Sequence, residues 1–212
     1  MKVVKARHFF VLTAIAVLVL IAGAFWMHAR TPPPALGRGV QLLEGERPLA
    51  AFRLESTAGP LTNAGLRGHW TFLLFGYTHC PDVCPTSLAL LAAVTDRVRK
   101  TVPSPPQVVF VSVDAPRDSV EVLSRYVPAF HAGFVGATGD DAALKPFARD
   151  LGVYYVRNVE EGQVGGPNNG YSVDHTSSVF LIAPDSSLRA VFPMPQEAPQ
   201  MATDTIAIMH LD

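Results

Sequence analysis

The chain has 212 residues, 49% of them hydrophobic, and a formal net charge of −1. This is enough for one sizeable domain with its own core, and the lack of any Lys/Arg cluster beyond the first residues excludes an electrostatic nucleic-acid binder. Only two cysteines occur and both fall in one short motif, which excludes a disulfide-stapled scaffold and marks the pair as a working site.

In chain order, residues 1–8 form a basic start with Lys2, Lys5 and Arg7. The nineteen residues from Phe9 to Met27 carry no charge and end near Phe25 and Trp26, an interface-type aromatic pair. That length spans a bilayer as a helix, and the positive-inside rule leaves the start in the cytoplasm and the rest outside. The competing reading is a cleaved signal peptide, for which Ala22, Gly23 and Ala24 offer a small-residue site, although such an apolar core is usually shorter. Either reading exports the domain to an oxidising compartment. A mitochondrial transit peptide would be longer and richer in Arg and Ser, so the expected location is a bacterial inner membrane, with the C-terminal domain in the periplasm. Residues 28–47, with Thr-Pro-Pro-Pro at 31–34, read as a stiff spacer, and the domain proper as 48–212.

Residues 50–55 and 59–61 predict a short strand pair, with 62–68 as a connection. The apolar run from Phe72 to Phe75 predicts a strand buried on both faces, released by Gly76. Pro81 suits the first position of a helix, which puts Cys80 and Cys84 at or in its first turn. Leu88, Leu91, Ala92, Val94 and Val98 make a helical stripe that ends before residues 103–106. Val-rich residues 107–113 fit a second buried parallel strand, and Asp-Ser-Val-Glu (118–121) reads as a capping box for another helix reaching Ala129. Strand, helix, strand, helix predicts a right-handed parallel crossover. Residues 134–137 read as extended, Asp140 as the cap of a helix containing Pro146, and 154–159 as β-prone. Residues 160–170 form a polar Gly/Asn-rich loop, and a loop this long inside a compact domain is usually functional or mobile. Residues 171–175 bring the chain back, 178–183 and 188–192 form a hairpin, and 199–209 close the fold as a helix. The pattern is a thioredoxin-like α/β sandwich with the cysteine pair at a strand-to-helix turn.

Cys80 and Cys84 are four residues apart, so on a helix both sulfurs share one face and can meet one soft metal ion or each other. Unpaired N–H groups and the positive end of the helix dipole favour thiolate there. Thioredoxin-type oxidoreductases carry C-x-x-C; the extra residue here changes that geometry and makes a chelate bite as natural as a disulfide. The bland alternative is two buried thiols acting as small hydrophobes. Two thiolates alone hold Cu(I) linearly, and an imidazole as third donor would tighten the site and admit Cu(II). Seven histidines compete. His8 and His28 flank the apolar span, His210 lies in a tail, and His69 and His131 have no chemical company. His79 adjoins Cys80, but neighbouring side chains diverge, which suits tuning the thiolates better than ligation. His175 follows the long loop and precedes a strand, where a thioredoxin-like fold faces it toward the cysteine turn; spacing alone leaves it between a ligand and an ordinary loop histidine. Met194, Met201 and Met209 offer thioethers suited to Cu(I), but packing is their simpler role. A thiol peroxidase is disfavoured, because Tyr77 stands where a peroxide-binding Thr would precede the reactive Cys.

Gly-Tyr-Thr-His-Cys-Pro-Asp-Val-Cys-Pro (76–85), Val-Ser-Val-Asp (111–114) with Arg117 and Asp118, and Val-Asp-His-Thr (173–176) ahead of Val-Phe-Leu-Ile-Ala-Pro-Asp (179–185) together resemble the Sco/SenC family of membrane-anchored copper proteins. The resemblance covers residues 48–210 and includes the single anchor at the start. It implies a thioredoxin fold, copper as Cu(I) or Cu(II) held by Cys80, Cys84 and His175, and delivery of that copper to the dinuclear centre in subunit II of cytochrome c oxidase. A periplasmic copper donor is the matching upstream partner. One departure stands out: family members commonly place proline directly after the aspartate of the middle motif, where this chain has Ala115 and then Pro116. Asp82 and Asp174 are candidates for supporting the ligands or docking a partner; a helix-dipole partner and a loop cap are their ordinary roles. Two functions follow. One is a copper-binding assembly factor acting by ligand exchange, with residues 160–170 as a gate. The other is a thiol–disulfide reductase keeping another protein's cysteines reduced for metallation, in which Cys80 and Cys84 are the redox-active pair and His175 is dispensable or a base.

Overall fold

The computed structural model describes residues 13, 15–24, 26, 36–43, 45, 47–158 and 170–211. The chain divides into two units, 1–35 and 36–212. In the first, the described residues are helical, and apolar side chains such as Leu18 and Leu20 are exposed. Among the described residues no helix is long and apolar enough to cross a membrane. The span expected at 9–27 includes positions outside them, and the basic start at 1–8 and residues 160–169 of the expected gate lie wholly outside.

The second unit is built on a mixed eight-stranded sheet. Its strands are β1 (Gln41–Leu42), β2 (Arg53–Ser56), β3 (Leu61–Thr62), β4 (Thr71–Gly76), β5 (Gln107–Ser112), β6 (Val135–Thr138), β9 (Ser178–Ile182) and β10 (Leu188–Pro193). A separate pair, β7 (Tyr155–Asn158) and β8 (Ser172–His175), forms its own hairpin. The helices are α1 (Asn63–Leu66), α2 (Val83–Val98), α3 (Val120–Tyr126), α4 (Asp141–Asp150) and α5 (Ala198–Met209). Across the sheet the order is β1-β10-β9-β4-β5-β6-β2-β3, with β4, β5 and β6 parallel and the flanking pairings antiparallel.

Every residue of β4 is buried, as an unbroken apolar run requires when both faces of a strand are covered. Burying side chains such as Phe72, Leu73 and Phe75 stabilises the fold by about 1.5–3 kcal/mol each. Phe75 meets Phe180 of β9 edge-on and tilts onto Phe147 of α4, tying three elements together. Pairing runs in register from Thr71 with Gln107 to Gly76 with Ser112, so β4, α2 and β5 form the expected parallel unit. Leu74 also pairs with Val179, which sets the C-terminal end of β4 beside the N-terminal end of β9. The residues just before Ser178 are thereby carried to the cysteine turn.

Three local details differ from the sequence expectation. α2 starts at Val83 and not at Pro81; Pro85 occupies its first turn instead, where a helix has no acceptor for the N–H that proline lacks. α3 is capped by Ser119, whose hydroxyl accepts from the Val122 N–H, one residue later than the expected box. Asp118, which the box required, is fully buried with its carboxylate engaged elsewhere. Residues expected in the spacer join the sheet, where Gln41 and Leu42 pair with Val191 and Ala190 and cover the β10 edge. Asp140 caps α4 as expected, accepting from the Ala143 N–H at 2.9 Å, and Pro146 lies inside that helix.

Candidate metal centre

The Cys80 N–H closes on the Tyr77 carbonyl at 3.3 Å, so Cys80 lies in the turn after β4 and Cys84 in the first turn of α2. Cys80 is half-buried, Cys84 is buried, and both are free thiols. The turn is pinned by Asp118, which accepts from the Thr78 N–H at 2.8 Å and from the hydroxyls of Thr78 and Ser112 at 2.5 Å each. His79 is exposed, with Nδ1 3.1 Å from the Thr78 hydroxyl and 3.9 Å from Asp118.

The third candidate donor comes from the hairpin. His175 ends β8 opposite Tyr155 of β7, and its Nδ1 lies 3.1 Å from the Thr176 carbonyl. A carbonyl can only accept, so Nδ1 carries the ring proton and Nε2 presents its lone pair. That Nε2 is 3.5 Å from Cys84 Sγ, across 91 residues of sequence. The candidate donor atoms of Cys80, Cys84 and His175 all lie within 4.8 Å of one another. The Tyr77 ring stands edge-on to the imidazole, with centroids 6.1 Å apart. Asp82 and Asp174 are exposed neighbours of these candidate donors and do not join the cluster; Asp82 accepts from the Thr86 hydroxyl at 3.3 Å.

The two thiols are electrostatically unequal. Burial works against a Cys80 thiolate, but the N–H groups of Cys84, Asp82 and Val83 and the Cys84 thiol outweigh it and hold Cys80 below the ordinary thiol range. Burial pushes Cys84 well above that range, and the neighbouring Cys80 and Asp118 charges add to the shift. Burial also lowers His175, against the pull of the Thr176 carbonyl and the Asp174 charge, so the ring stays neutral. Cys80 is thus the more readily deprotonated of the two thiols, and Cys84 Sγ faces the His175 Nε2 lone pair at 3.5 Å.

A set of two sulfurs and one imidazole suits copper in either oxidation state. A family model described as SCO1/SenC matches residues 41–210. The chain belongs to the SCO1/SenC family. It is 32% identical over 190 residues to the mitochondrial SCO2 homolog of Bos taurus, covering 87% of this chain and 69% of that one. With the SCO2-like protein of Rickettsia felis the identity is 32% over 170 residues, covering 78% of this chain and 80% of that one. Against the mitochondrial SCO1 homolog 1 of Arabidopsis thaliana the match is 39% over 125 residues; it covers 59% of this chain but only 36% of that longer protein. Among solved structures, Arabidopsis thaliana ScoI with copper bound superposes at a TM-score of 0.70 with 32% identity, covering 77% of this chain and 98% of that one. Bradyrhizobium japonicum ScoI with copper bound gives 0.63 and 30%, covering 74% and 96%. The mixed α/β domain is the thioredoxin-like fold of these Sco structures.

In this SCO1/SenC domain the β7–β8 hairpin stands apart from the large sheet, so side chains help hold it against the cysteine turn. Asp114 accepts from Arg117 Nε and from the Tyr171 hydroxyl. Arg117 Nη1 donates to the Tyr171 carbonyl at 3.0 Å, and its guanidinium lies 3.6 Å over the Tyr171 ring. Arg157 of β7 donates to the Val113 carbonyl at 2.8 Å and pairs with Asp141 of α4 at 2.9 Å. Sequence reasoning gave Tyr171 and Arg157 no role, used Asp114 and Arg117 only as marks of resemblance, and gave Asp118 the further part of a helix cap. The available signal was three charges in Asp-Ala-Pro-Arg-Asp (114–118) directly after an apolar strand, because charges enter a core only when paired.

The hydrogen bonds from Arg157 and Lys145 hold the Asp141 carboxyl down to about 2, from an ordinary 3.8. A depressed carboxylate contributes stability fully above its unfolded value and loses it as pH falls through the folded one. Between pH 3.8 and about 2 the wild-type melting temperature is expected to fall more steeply than that of Arg157→Gln, as followed by circular dichroism. Parallel curves would remove this pair from the hairpin's support.

Proposed function

We propose that this chain takes copper onto Cys80, Cys84 and His175 Nε2 and hands it to the dinuclear copper centre in subunit II of cytochrome c oxidase. The convergence of the three donors within 4.8 Å carries the reading. Membership of the SCO1/SenC family and two relatives solved with copper bound support it. Copper is cargo here, received from a periplasmic donor and released by ligand exchange as an acceptor's cysteines displace the thiolates one at a time. Half-buried Cys80 is the accessible sulfur for that exchange, and loading expels the Cys84 proton. Asp82 and Asp174, exposed beside the ligands, suit docking of a partner. The apolar stretch 9–27 tethers the domain to the periplasmic face of a bacterial inner membrane; exposed Leu18 and Leu20 on helical residues 15–24 suit a lipid environment.

The test is an anaerobic Cu(I) titration of the purified chain against a competing chelator, followed by a Cu(II) titration, for wild type and His175→Ala. The variant is expected to bind at least about ten-fold more weakly and to lose the imidazole nitrogen signature of Cu(II). Unchanged one-to-one binding would remove His175 from the site.

The inequality of the thiols favours a second reading, that of a thiol–disulfide reductase. The Cys80 thiolate would attack a disulfide in the acceptor and expel one of its sulfurs as a thiolate. Cys84, giving its proton to the imidazole or to solvent, would then attack Cys80 and expel the second. Two electrons pass to the acceptor disulfide, and Cys80 and Cys84 end joined. Under this reading His175→Ala retains reduction of an acceptor-peptide disulfide, whereas copper retention is lost under the first.

A further inference from the structure

We propose that the Asp114–Asp118 turn sets the separation between the imidazole and the thiols, Arg117 positioning His175 and Asp118 positioning the cysteine turn. Neither side chain belongs to the donor cluster, so both are positioning residues. The turn is rigid in itself: the Asp114 carbonyl accepts from the N–H groups of Arg117 and Asp118 at 3.0 and 2.9 Å. It is anchored beside the end of β4, where the Val113 N–H donates to the Gly76 carbonyl at 2.9 Å.

Adjacent residues of this turn serve the two halves of the site. Asp118 holds Thr78, two residues before Cys80, by its N–H and its hydroxyl. Arg117 holds Tyr171, four residues before His175, by its carbonyl and its ring face. Side-chain anchoring matters because β7 and β8 share no ladder with the large sheet; Thr176 and Ser177 are all that link β8 to β9. A hairpin joined by so short a link can still pivot, and a pivot moves Nε2 relative to Cys84. The planar guanidinium stacked on Tyr171, with its charge neutralised by fully buried Asp114, opposes that motion.

The copper arm of the test rests on the proposed copper reading, and an apo measurement keeps the two separable. In the copper-free full chain, nuclear Overhauser contacts between the His175 ring and the Cys84 β-protons report the separation directly. Arg117→Gln and Asp118→Asn are both expected to weaken those contacts, and Arg117→Lys, which keeps the charge but not the planar fork, to restore them only in part. With copper, Arg117→Gln is expected to lose the imidazole nitrogen couplings of Cu(II) and about 10- to 100-fold in Cu(II) affinity, with less effect on Cu(I). Asp118→Asn is expected to weaken Cu(I) and Cu(II) alike, because it shifts the sulfurs. Folded Arg117→Gln and Asp118→Asn with wild-type contacts would overturn the proposal. Should either fail to fold, Arg117→Lys and Thr78→Val decide in their place, wild-type contacts overturning it and weakened ones supporting it. If the wild type takes up no copper, the copper reading falls and the apo contacts still decide this proposal.

Discussion

Asp114→Ala is expected to destabilise the folded unit by about 3–5 kcal/mol. Asp114 is fully buried and neutralises Arg117, whose side chain is 4% exposed. Removing the carboxylate leaves a buried guanidinium whose Nη1 keeps the Tyr171 carbonyl and whose Nη2 has no hydrogen-bond partner among the described residues. The Tyr171 hydroxyl loses its acceptor in the same step, and Arg157 loses a carboxylate 3.6 Å from its Nε. For a domain of this size, each kcal/mol moves the melting temperature by about 2–4 °C, so a fall of about 6–20 °C is expected by calorimetry. The double variant Asp114→Ala/Arg117→Met should recover most of the loss, because the penalty lies in stranding one charge and not in lacking the pair. A single variant melting within about 1 kcal/mol of wild type would show that water or relaxation satisfies Arg117.

The parts of this architecture legible in the sequence were those governed by local pattern. The run Phe72 to Phe75 could only be a strand covered on both faces, and Leu88, Leu91, Ala92, Val94 and Val98 could only face a core from a helix; all are buried except Ala92, which is half-buried. Frame-level detail was less legible, because two readings shared the same letters. Asp118 and Ser119 are both good caps, and the hydroxyls of Thr78, forty residues away, and of Ser112, at the end of β5, decided between them by claiming Asp118. Pro81 and Pro85 both fit a helix start, and the turn that Cys80 makes onto Tyr77 put the first helical residue between them. The strand at Gln41–Leu42 has almost no pattern of its own and exists because β10 offers it an edge. The meeting of His175 with Cys84 is a product of topology. Antiparallel pairing of β9 with β4 returns residue 175 to the cysteine turn, and no spacing rule within either motif contains that fact. The charges of the 114–118 turn signal a paired cluster, but nothing in the sequence names Tyr171 and Thr78 as the groups they hold.

Gly76→Ala is expected to lower stability by about 1–3 kcal/mol and to weaken copper retention together, which separates it from substitutions that do only one. A Cβ at this position would lie 2.7 Å from Cys84 Sγ and 2.7 Å from Phe110 Cε2. Both are closer than packed atoms approach, so one neighbour has to move. Phe110 is fully buried in the core cluster and tilted against Tyr126 with centroids 5.7 Å apart, so moving it requires repacking of its neighbours. Cys84 turns about a single bond, so its sulfur is the part that yields. Any such rotation carries Sγ off the 3.5 Å line to His175 Nε2 and changes its spacing from Cys80. The melting temperature is expected to fall by about 2–12 °C, and the Cu(I) competition titration to shift by about ten-fold or more. Core shaving at a distance offers the contrast: Leu123→Ala, which empties space under α3, should destabilise by about 2–5 kcal/mol while its folded fraction retains copper normally. If Gly76→Ala melts lower but holds copper as the wild type does, Phe110 gives way and Cys84 does not, and glycine at the end of β4 serves the core alone.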